Sequence, residues 1–284
     1  MTDALSRLDI MDAAVSGVLC LLALVASMLM WRSLLAAVGQ PLGLVTAARL
    51  YFLTQIGKYL PGSVWPVVAQ IELGRERGVP AHLSGLAAAM NLLLGIASGI
   101  VVGLGCLLAS TGSVGEYWWL LLPLAALLVL LHPRALRLAV STLLRLTRRP
   151  VVDVEVRASG MLAAGGWSLV MWALFGLHIH VLVASLPGGG DLLRSVGAYA
   201  LAWVAGFLVF FAPAGAGARE LTLVVLLAPP LGRPEALAVA VVSRVIGVAG
   251  DLVVAGAAVL AERWHRRTTA DTGQVADESP GGRR

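Results

Sequence analysis

The stretch Gly57-Lys58-Tyr59-Leu60-Pro61-Gly62-Ser63-Val64-Trp65-Pro66 lies within hydrophobic sequence and cannot form a continuous helix. Pro61 and Pro66 lack backbone N–H donors and clash with the preceding helical turn, and the two glycines make the backbone more flexible. Non-helical backbone at membrane depth occurs only where protein or a water-filled cavity surrounds it. Since such breaks line binding sites in transporters, the stretch predicts a broken helical hairpin beside a cavity.

The composition of the whole chain is that of a membrane protein. Hydrophobic residues make up 58% of the 284 residues and charged residues only 13%, whereas soluble domains carry about 25% charged residues. Several runs without Asp, Glu, Lys or Arg are long enough to cross a bilayer. They are Ala13–Met30, Leu83–Ser110, Ala158–Leu186 and Ser195–Ala218. We therefore predict an all-α polytopic membrane protein whose residues 1–264 form a single transmembrane domain.

About five full crossings are predicted, together with two broken or re-entrant hairpins. The first hairpin is Pro41–Leu73, and the second has its break at Ala212–Gly217 and a short apolar arm at Leu221–Leu231. The glycines at 95, 99, 103 and 105 predict close helix packing in the second crossing. The predicted crossings are Ala13–Arg32, Pro80–Ser110, Tyr117–Leu131, Ala158–Leu186 and Ala236–Ala261.

The two hairpins indicate an internal repeat of helix, broken hairpin and helix, at residues 13–110 and 158–261. Because three crossings separate the hairpins, the two copies are expected to be inverted, which is typical of transporters. A chance similarity is the alternative interpretation. The offset of 152–154 residues is seen between Pro61 and Pro213, between Pro80 and Pro234, and between Asn91 and Arg244.

The distribution of Lys and Arg predicts the orientation of the chain. With the N-terminus outside, 16 of the 21 Lys and Arg residues lie in the cytoplasm, as the positive-inside rule requires. These include the basic segment at 133–157, which is either an amphipathic helix on an anionic membrane surface or an ordinary cytoplasmic loop. The polar tail at 265–284 is expected to be cytoplasmic and disordered.

Charged residues in the second half are the first candidates for a binding site. Arg219 and Glu220 begin the arm after the break, where free helix N–H groups and an arginine can bind phosphate. Arg244 and Asp251 are seven residues apart and so share one helical face. An ionisable residue at mid-depth costs roughly 2.5–3.5 kcal/mol on insertion scales, so each needs a partner or water. A lipid head-group site and a buried structural ion-pair network both explain them.

The first hairpin adds weaker candidates. Lys58 and Glu72 are predicted to meet the head group, although interfacial anchoring is the alternative for Lys58 and Trp65. His178 and His180 point in different directions on a helix, so packing is favoured over a metal site. No catalytic residue, metal site or cofactor is predicted. The residues expected to shape the cavity are Pro61, Gly62, Trp65, Pro213, Gly215 and Gly217.

Four pieces of the sequence together resemble the lysylphosphatidylglycerol synthase transmembrane (flippase-like) family. They are Lys58–Trp65, Gly78-Val79, Pro213–Glu220, and Arg244 with Asp251. The resemblance implies a multi-pass module of the bacterial plasma membrane that moves aminoacylated phospholipids, or polyprenyl-linked lipids, between leaflets. It also implies that Arg219, Glu220, Arg244 and Asp251 lie in a head-group cavity. The large soluble aminoacyl-transfer domain of that family has no counterpart here, so enzymatic activity is not expected.

The leading functional prediction is a lipid flippase or scramblase whose partners are membrane phospholipids and not nucleic acid. Two alternatives stay open: an ion-coupled small-solute transporter, and a non-transporting membrane partner of a separate lipid-modifying enzyme or glycosyltransferase. The glycine-rich run at 215–217 lacks the lysine and Ser/Thr of a P-loop. No ATP site is therefore predicted, and uphill transport would be expected to use an ion gradient.

Overall fold

Capping residues, prolines and glycines divide the apolar sequence into helices. The computed structural model describes residues 9–60, 65–111, 156–209 and 212–277. Within these ranges the protein is helical, without a β-strand. The α-helices are α1 (Ile10–Ala37), α2 (Leu44–Gln55), α3 (Trp65–Arg75), α4 (Ala81–Thr111), α5 (Ala158–Ala184), α6 (Leu192–Leu208), α7 (Ala218–Leu231) and α8 (Arg233–Asp277). Two 3₁₀ turns, Ile56–Tyr59 and Pro213–Gly215, adjoin the two breaks.

Side-chain caps fix two of the helix starts. The Asp9 carboxylate accepts a hydrogen bond from the Met11 N–H at 3.2 Å before α1. The Asp191 carboxylate accepts one from the Arg194 N–H at 3.1 Å before α6. Each cap satisfies a backbone donor that the helix itself leaves free.

Five segments in the described part of the chain are long and apolar enough to cross a membrane. They are Ile10–Ala37, Ala81–Ser110, Ala158–Ala184, Pro213–Leu231 and Arg233–His265. The prediction of an all-α, multi-pass membrane protein is confirmed. Helix α6 is apolar but shorter, with 17 residues.

Some predicted boundaries differ from the structure. Helix α1 continues past Arg32 to Ala37 because the intervening residues are good helix formers, and the chain turns at Gly39, which has a φ of 83°. The second hairpin's last arm begins at Ala218, earlier than predicted, and with its 3₁₀ turn it is long enough to span. The predicted crossing at Tyr117–Leu131 and most of the basic segment at 133–157 lie outside the described residues.

Helix α8 also extends further than the sequence predicted. It continues to Asp277, whereas a disordered tail was expected from residue 265 onwards. Once a helix is nucleated, adding each further residue is inexpensive, and no proline interrupts the chain between residues 235 and 277. The last predicted tail residues, 278–284, lie outside the described part of the chain.

Two clusters of buried apolar side chains lie one above the other along the bundle. The first-hairpin core surrounds α2 and includes Trp31, Leu34, Tyr51, Phe52, Met90 and Val254. The second-hairpin core surrounds α6 and α7 and includes Cys20, Trp172, Ile179, Tyr199, Leu223 and Val239. Each hairpin is thus the centre of one half of the interior.

The two cores reveal the direction of the long helices. Helix α1 runs from the second-hairpin core at Cys20 to the first-hairpin core at Trp31, and α8 runs the same way from Val239 to Val254. Helices α4 and α5 run in the opposite direction. Each long helix in residues 13–110 is therefore antiparallel to its counterpart in 158–261, which is the arrangement that an inverted repeat predicts.

Helices of the first half of the chain pack against helices of the second half. Helices α1 and α5 pack against each other, α4 packs on α6, and α8 packs on α2. The two 3₁₀ turns are also in contact. The two hairpins therefore meet at these turns in the described part of the chain.

Candidate functional site

A cavity lies between the two hairpins, at the level where the two cores meet. Its volume is about 210 Å³. All eight helices contribute to its lining. Much of the wall is apolar, with Leu24, Phe175, Trp203, Phe207 and Val248 among the lining residues.

Asp251 joins α8 to the first hairpin at one side of this cavity. Its Oδ2 atom lies 2.7 Å from Lys58 Nζ and accepts a hydrogen bond from the Tyr59 hydroxyl at 2.5 Å. The Asp251 side chain is only 6% exposed, against 31% for Lys58. The sequence predicted both charged residues at the site, and the structure places them in direct contact.

Arg244 holds the second break in shape. Its guanidinium donates to the Ala214 carbonyl at 2.9 Å and to the Pro213 carbonyl at 3.4 Å. Its Nε atom lies 3.5 Å from Glu220 Oε1. Arg244 lines the cavity, so one side chain both faces the interior and fixes the broken backbone.

Glu220 supports this arrangement from the first turn of α7. Its carboxylate accepts a hydrogen bond at 2.6 Å from the N–H of Gly217, which has a φ of 88°. This contact satisfies a free donor at the helix start. Glu220 is not among the residues that line the cavity, so its predicted contact with a head group is replaced by a role in positioning Arg244 and the turn.

The break itself is tightly packed. Ala214 has a φ of 48°, which is unfavourable for a residue with a side chain, and Gly215 has a φ of 69°. A Cβ atom on Gly215 would lie 2.6 Å from the Cα of Gly206 in α6. Only glycine allows this close approach, and Gly215, which the sequence predicts to shape the cavity wall, is among the residues that line the cavity.

Arg219 lies at the N-terminus of α7 and also lines the cavity. It donates a hydrogen bond to the Tyr199 hydroxyl, and its guanidinium carbon lies 4.7 Å from the centre of the Tyr199 ring. Tyr199 is itself stacked on Phe175, with 4.9 Å between ring centres. No carboxylate lies within ion-pair distance of Arg219 among the residues that the structure describes.

The electrostatic balance of the cavity is therefore positive. In the described lining, Lys58 is neutralised by Asp251, and Arg244 is opposed by Glu220. Arg219 adds a positive charge that has an aromatic partner but no acidic one. Because the free N–H groups and the dipole of α7 also favour negative charge at its N-terminus, this part of the cavity can bind an anion.

Two amide side chains add unused acceptors to the lining. Gln70 Oε1 and Asn91 Oδ1 are buried and have no hydrogen-bond partner among the described residues. A buried polar group without a partner costs about 1–3 kcal/mol. Because the two oxygen atoms have almost no accessible surface, a ligand with hydroxyl or amino groups would satisfy them only after the amide groups rotate towards the cavity.

The remaining predicted site residues lie elsewhere. Glu72 does not line the cavity: its side chain is 68% exposed and lies 3.5 Å from Arg75. Trp65 is half exposed and is not among the lining residues, whereas its neighbour Pro66 is. Pro213 and Gly217 act through their backbone groups, as described above. Pro61 and Gly62 lie outside the described residues.

A second ionic cluster was missed by the sequence predictions. Glu262 on α8 is buried and pairs with Arg49 of α2, at 2.6 Å, and with Arg77 after α3. Its position is 11 residues, or three helical turns, beyond Asp251, so both acids lie on one face of α8. That spacing is the signal that could have identified Glu262 as a partner of the first hairpin.

His178 is a packing residue, as predicted. It is buried, with its Nδ1 atom 2.7 Å from Ser16 Oγ and its Nε2 atom 2.9 Å from Ser243 Oγ. It thereby connects α5 to α1 and α8. His180 lies apart from it, 3.4 Å from Ser195 Oγ.

Comparison with known proteins identifies a family. The family model described as "Lysylphosphatidylglycerol synthase TM region" matches residues 1–255. No curated protein matches the chain. The matched range includes both hairpins and all four charged residues that line the cavity in the described part of the chain.

Proposed function

The chain belongs to the lysylphosphatidylglycerol synthase transmembrane family, and from this premise we propose that it moves a lipid with an anionic head group between membrane leaflets. The matched family is the membrane region of the synthase and not its catalytic domain. The observation that carries the proposal is the cavity between the two broken hairpins, where Arg219 has no acidic partner among the described residues.

The head group would be bound by complementary charge and by hydrogen bonds. Arg219 and the N-terminus of α7 would hold the phosphate. The amide side chains of Gln70 and Asn91 line the same cavity and, once rotated towards it, would bind hydroxyl or amino groups next to the phosphate. Each of these contacts replaces hydration that the head group loses when it leaves the membrane surface.

The size of the cavity favours a lipid whose acyl chains stay in the bilayer. A space of about 210 Å³ is below the range of roughly 300–1,000 Å³ that encloses a drug-sized molecule, so it fits a head group rather than a whole lipid. Helix α3 contributes to the cavity and also exposes the apolar side chains of Trp65 and Val68. Acyl chains could lie along this exposed surface while the head group crosses.

The proposed orientation has the first-hairpin end of the bundle in the cytoplasm. Arg49 and Arg77 cluster there with Glu262, and the end of α1 meets the start of α5, where the Arg157 N–H donates to the Ala37 carbonyl at 2.9 Å. The opposite end carries Asp9 and Asp191 at the starts of α1 and α6. The excess of arginine at one end supports a cytoplasmic first hairpin and an external N-terminus.

A reconstitution experiment tests the proposed function. Purified protein in liposomes should move fluorescent phosphatidylglycerol between leaflets faster than empty liposomes do, as measured by chemical quenching of the outer leaflet. Arg219→Gln should slow this movement about tenfold or more, which corresponds to about 1.4 kcal/mol of lost stabilisation. Arg75→Gln, at an exposed arginine outside the cavity, is the matched control and should behave like wild type.

Three outcomes would contradict the proposal. Wild-type protein that moves several anionic lipids no faster than empty liposomes is not a lipid translocase. If free glycerol phosphate at equal concentration competes as strongly as the lipid and is itself transported, the protein is instead a small-solute transporter. Faster movement of phosphatidylcholine than of phosphatidylglycerol would contradict the assignment of an anionic head group.

A further inference from the structure

The Lys58–Asp251 pair has a feature that a purely structural ion pair does not need. Both residues line the cavity, yet the lysine side chain is five times more exposed than the carboxylate, at 31% against 6%. Lys58 stands on the 3₁₀ turn beside the first break, and Asp251 stands in the middle of α8. The amine can therefore turn towards a ligand in the cavity, while the carboxylate stays buried.

An anion in the cavity competes with Asp251 for Lys58. The phosphate bound by Arg219 would attract the only cavity lysine, and Lys58 would then leave the carboxylate with a single donor, the Tyr59 hydroxyl. A buried carboxylate that loses its cationic partner is strongly unfavourable. Adding a proton removes the charge and so removes most of this penalty.

The other charged groups that line the cavity also lose part of their effect on Asp251 when an anion binds. Arg219 and Arg244 also line the cavity, and a bound phosphate would cancel part of the positive field that these two side chains supply. The remaining neighbours are uncharged and come from three further helices. Among the described residues, the titratable and charged groups that face Asp251 are Lys58, Tyr59, Arg219, Arg244, Cys20 of α1, Tyr51 of α2 and Tyr199 of α6.

We propose that binding of one anionic head group is coupled to the uptake of one proton by Asp251. Lys58 exchanges the carboxylate for the phosphate, one proton from water adds to a carboxylate oxygen, and the Tyr59 hydroxyl donates to the neutral carboxyl group. One negative charge and one proton enter together, so the net charge of the cavity does not change. This inference rests on the proposed function and names its energy source: lipid and proton would move in the same direction.

Electroneutral coupling has a measurable consequence. With one proton per singly charged lipid, a gradient of one pH unit should drive the lipid to a tenfold concentration ratio, accumulating on the alkaline side. A membrane potential of either sign should have no effect on this ratio. Asp251→Asn should still move the lipid, but towards equal distribution in both leaflets whatever the pH gradient.

The experiment uses wild-type protein in liposomes with fluorescent phosphatidylglycerol, an internal pH dye, and potassium with valinomycin to set the potential. Glu262→Gln is the matched control. Like Asp251, Glu262 is a buried acid on α8 with a basic partner, in this case arginine, but it does not line the cavity. This variant should keep the tenfold ratio even if the protein is less stable. In detergent, binding of short-chain phosphatidylglycerol to wild type should take up one proton per lipid.

The outcomes separate this inference from the proposed function. Lipid movement in wild type that reaches equal distribution under a pH gradient overturns the coupling and leaves the translocase intact. A ratio that follows the membrane potential overturns electroneutrality. Absence of lipid movement overturns both. If Asp251→Asn does not fold, the detergent measurement decides alone: binding without proton uptake overturns the coupling.

Discussion

Ala214 is the residue whose backbone is least favourable among those that line the cavity. Its φ of 48° and ψ of 31° place it in the left-handed region, and its carbonyl accepts a hydrogen bond from Arg244. This conformation costs a residue with a Cβ atom roughly 1–2 kcal/mol, which glycine avoids. The strain is retained at the point where the second hairpin turns.

Ala214→Gly is therefore expected to stabilise the protein. We predict a gain of about 1 kcal/mol in the free energy of unfolding, since part of the relieved strain is offset by the greater flexibility of glycine when unfolded. The measurement is thermal or denaturant unfolding in detergent. Lipid translocation should be retained, because the carbonyl that binds Arg244 is a backbone group. A loss of stability would show that the alanine methyl group has a packing role that outweighs the strain.

Individual site residues were predictable where a charge interrupts an apolar run. Lys58, Arg219 and Arg244 were identified in this way, because an unpaired charge in the membrane is costly. The same reasoning failed for Glu72, since spacing in a short helix does not reveal which face is exposed. Sequence also could not show that Asp251 pairs with Lys58 and not with Arg244, because that choice depends on how the first hairpin packs against α8.

At the scale of single elements, the glycines of α4 differ in what surrounds them. A Cβ atom on Gly99 would lie 2.8 Å from the Trp172 ring and 2.9 Å from Val204, whereas a Cβ atom on Gly105 would meet nothing within 4 Å. Gly103 is also close to a neighbour, Leu201, and Gly95 lines the cavity. The predicted packing role thus holds for Gly99 and Gly103.

This difference gives a matched pair of variants. Gly99→Ala should lower the free energy of unfolding by about 1–3 kcal/mol through overpacking against Trp172. Gly105→Ala should not lower it, because the new methyl group has space and alanine favours the helix. Unfolding in detergent, followed by circular dichroism, measures both. Equal effects of the two substitutions would contradict the packing described here.

The cluster of Glu262, Arg49 and Arg77 attaches the first hairpin to α8. Glu262→Gln leaves two arginines without their buried counter-charge, and we predict a loss of about 2 kcal/mol, limited by the partial exposure of the arginines. The turn at Arg75–Pro80 should then be cleaved faster by trypsin in detergent. Unchanged cleavage together with unchanged stability would mean that the apolar contacts of the first hairpin hold it without the ion pairs.

The existence of the elements was more predictable than their ends. Prolines and glycines identified both breaks, because these residues exclude a continuous helix whatever surrounds them. The last turns of α1 and the extension of α8 contain no such residue, so the polarity of the sequence alone placed their ends too early. Helix ends that depend on propensity and neighbouring contacts are less well defined by sequence than ends imposed by proline.

At the scale of the whole molecule, the bundle has two chemically different ends. The first-hairpin end carries the arginine cluster, and the opposite end carries the acidic helix starts at Asp9 and Asp191. The sequence predicts an excess of basic residues at one end through the positive-inside rule. The division into two repeat units, based on their common spacing, stays a prediction. The sequence could not show that α4 packs on α6 and α8 on α2, because such contacts join distant parts of the chain.

The orientation can be tested with single cysteines. In a background where Cys20 and Cys106 are replaced by serine, Arg233→Cys should react with a membrane-impermeant thiol reagent added to intact cells. Arg75→Cys should react only after the cells are permeabilised. Both arginines lie at exposed positions, so a lack of reaction cannot be attributed to burial. The reverse labelling pattern would show that the first hairpin faces outward.

The pairing of the first 3₁₀ turn with α8 also bears on how the protein is made. Tyr59 and Asp251 are 192 residues apart, so at about 5–20 residues per second the ribosome completes Lys58 and Tyr59 roughly 10–40 s before it reaches their partner. During that interval the lysine has no counter-charge on α8, and Cys20 of α1 lacks the neighbours that α5 to α8 supply. The ion pair between the first hairpin and α8 can therefore form only after α8 has been synthesised.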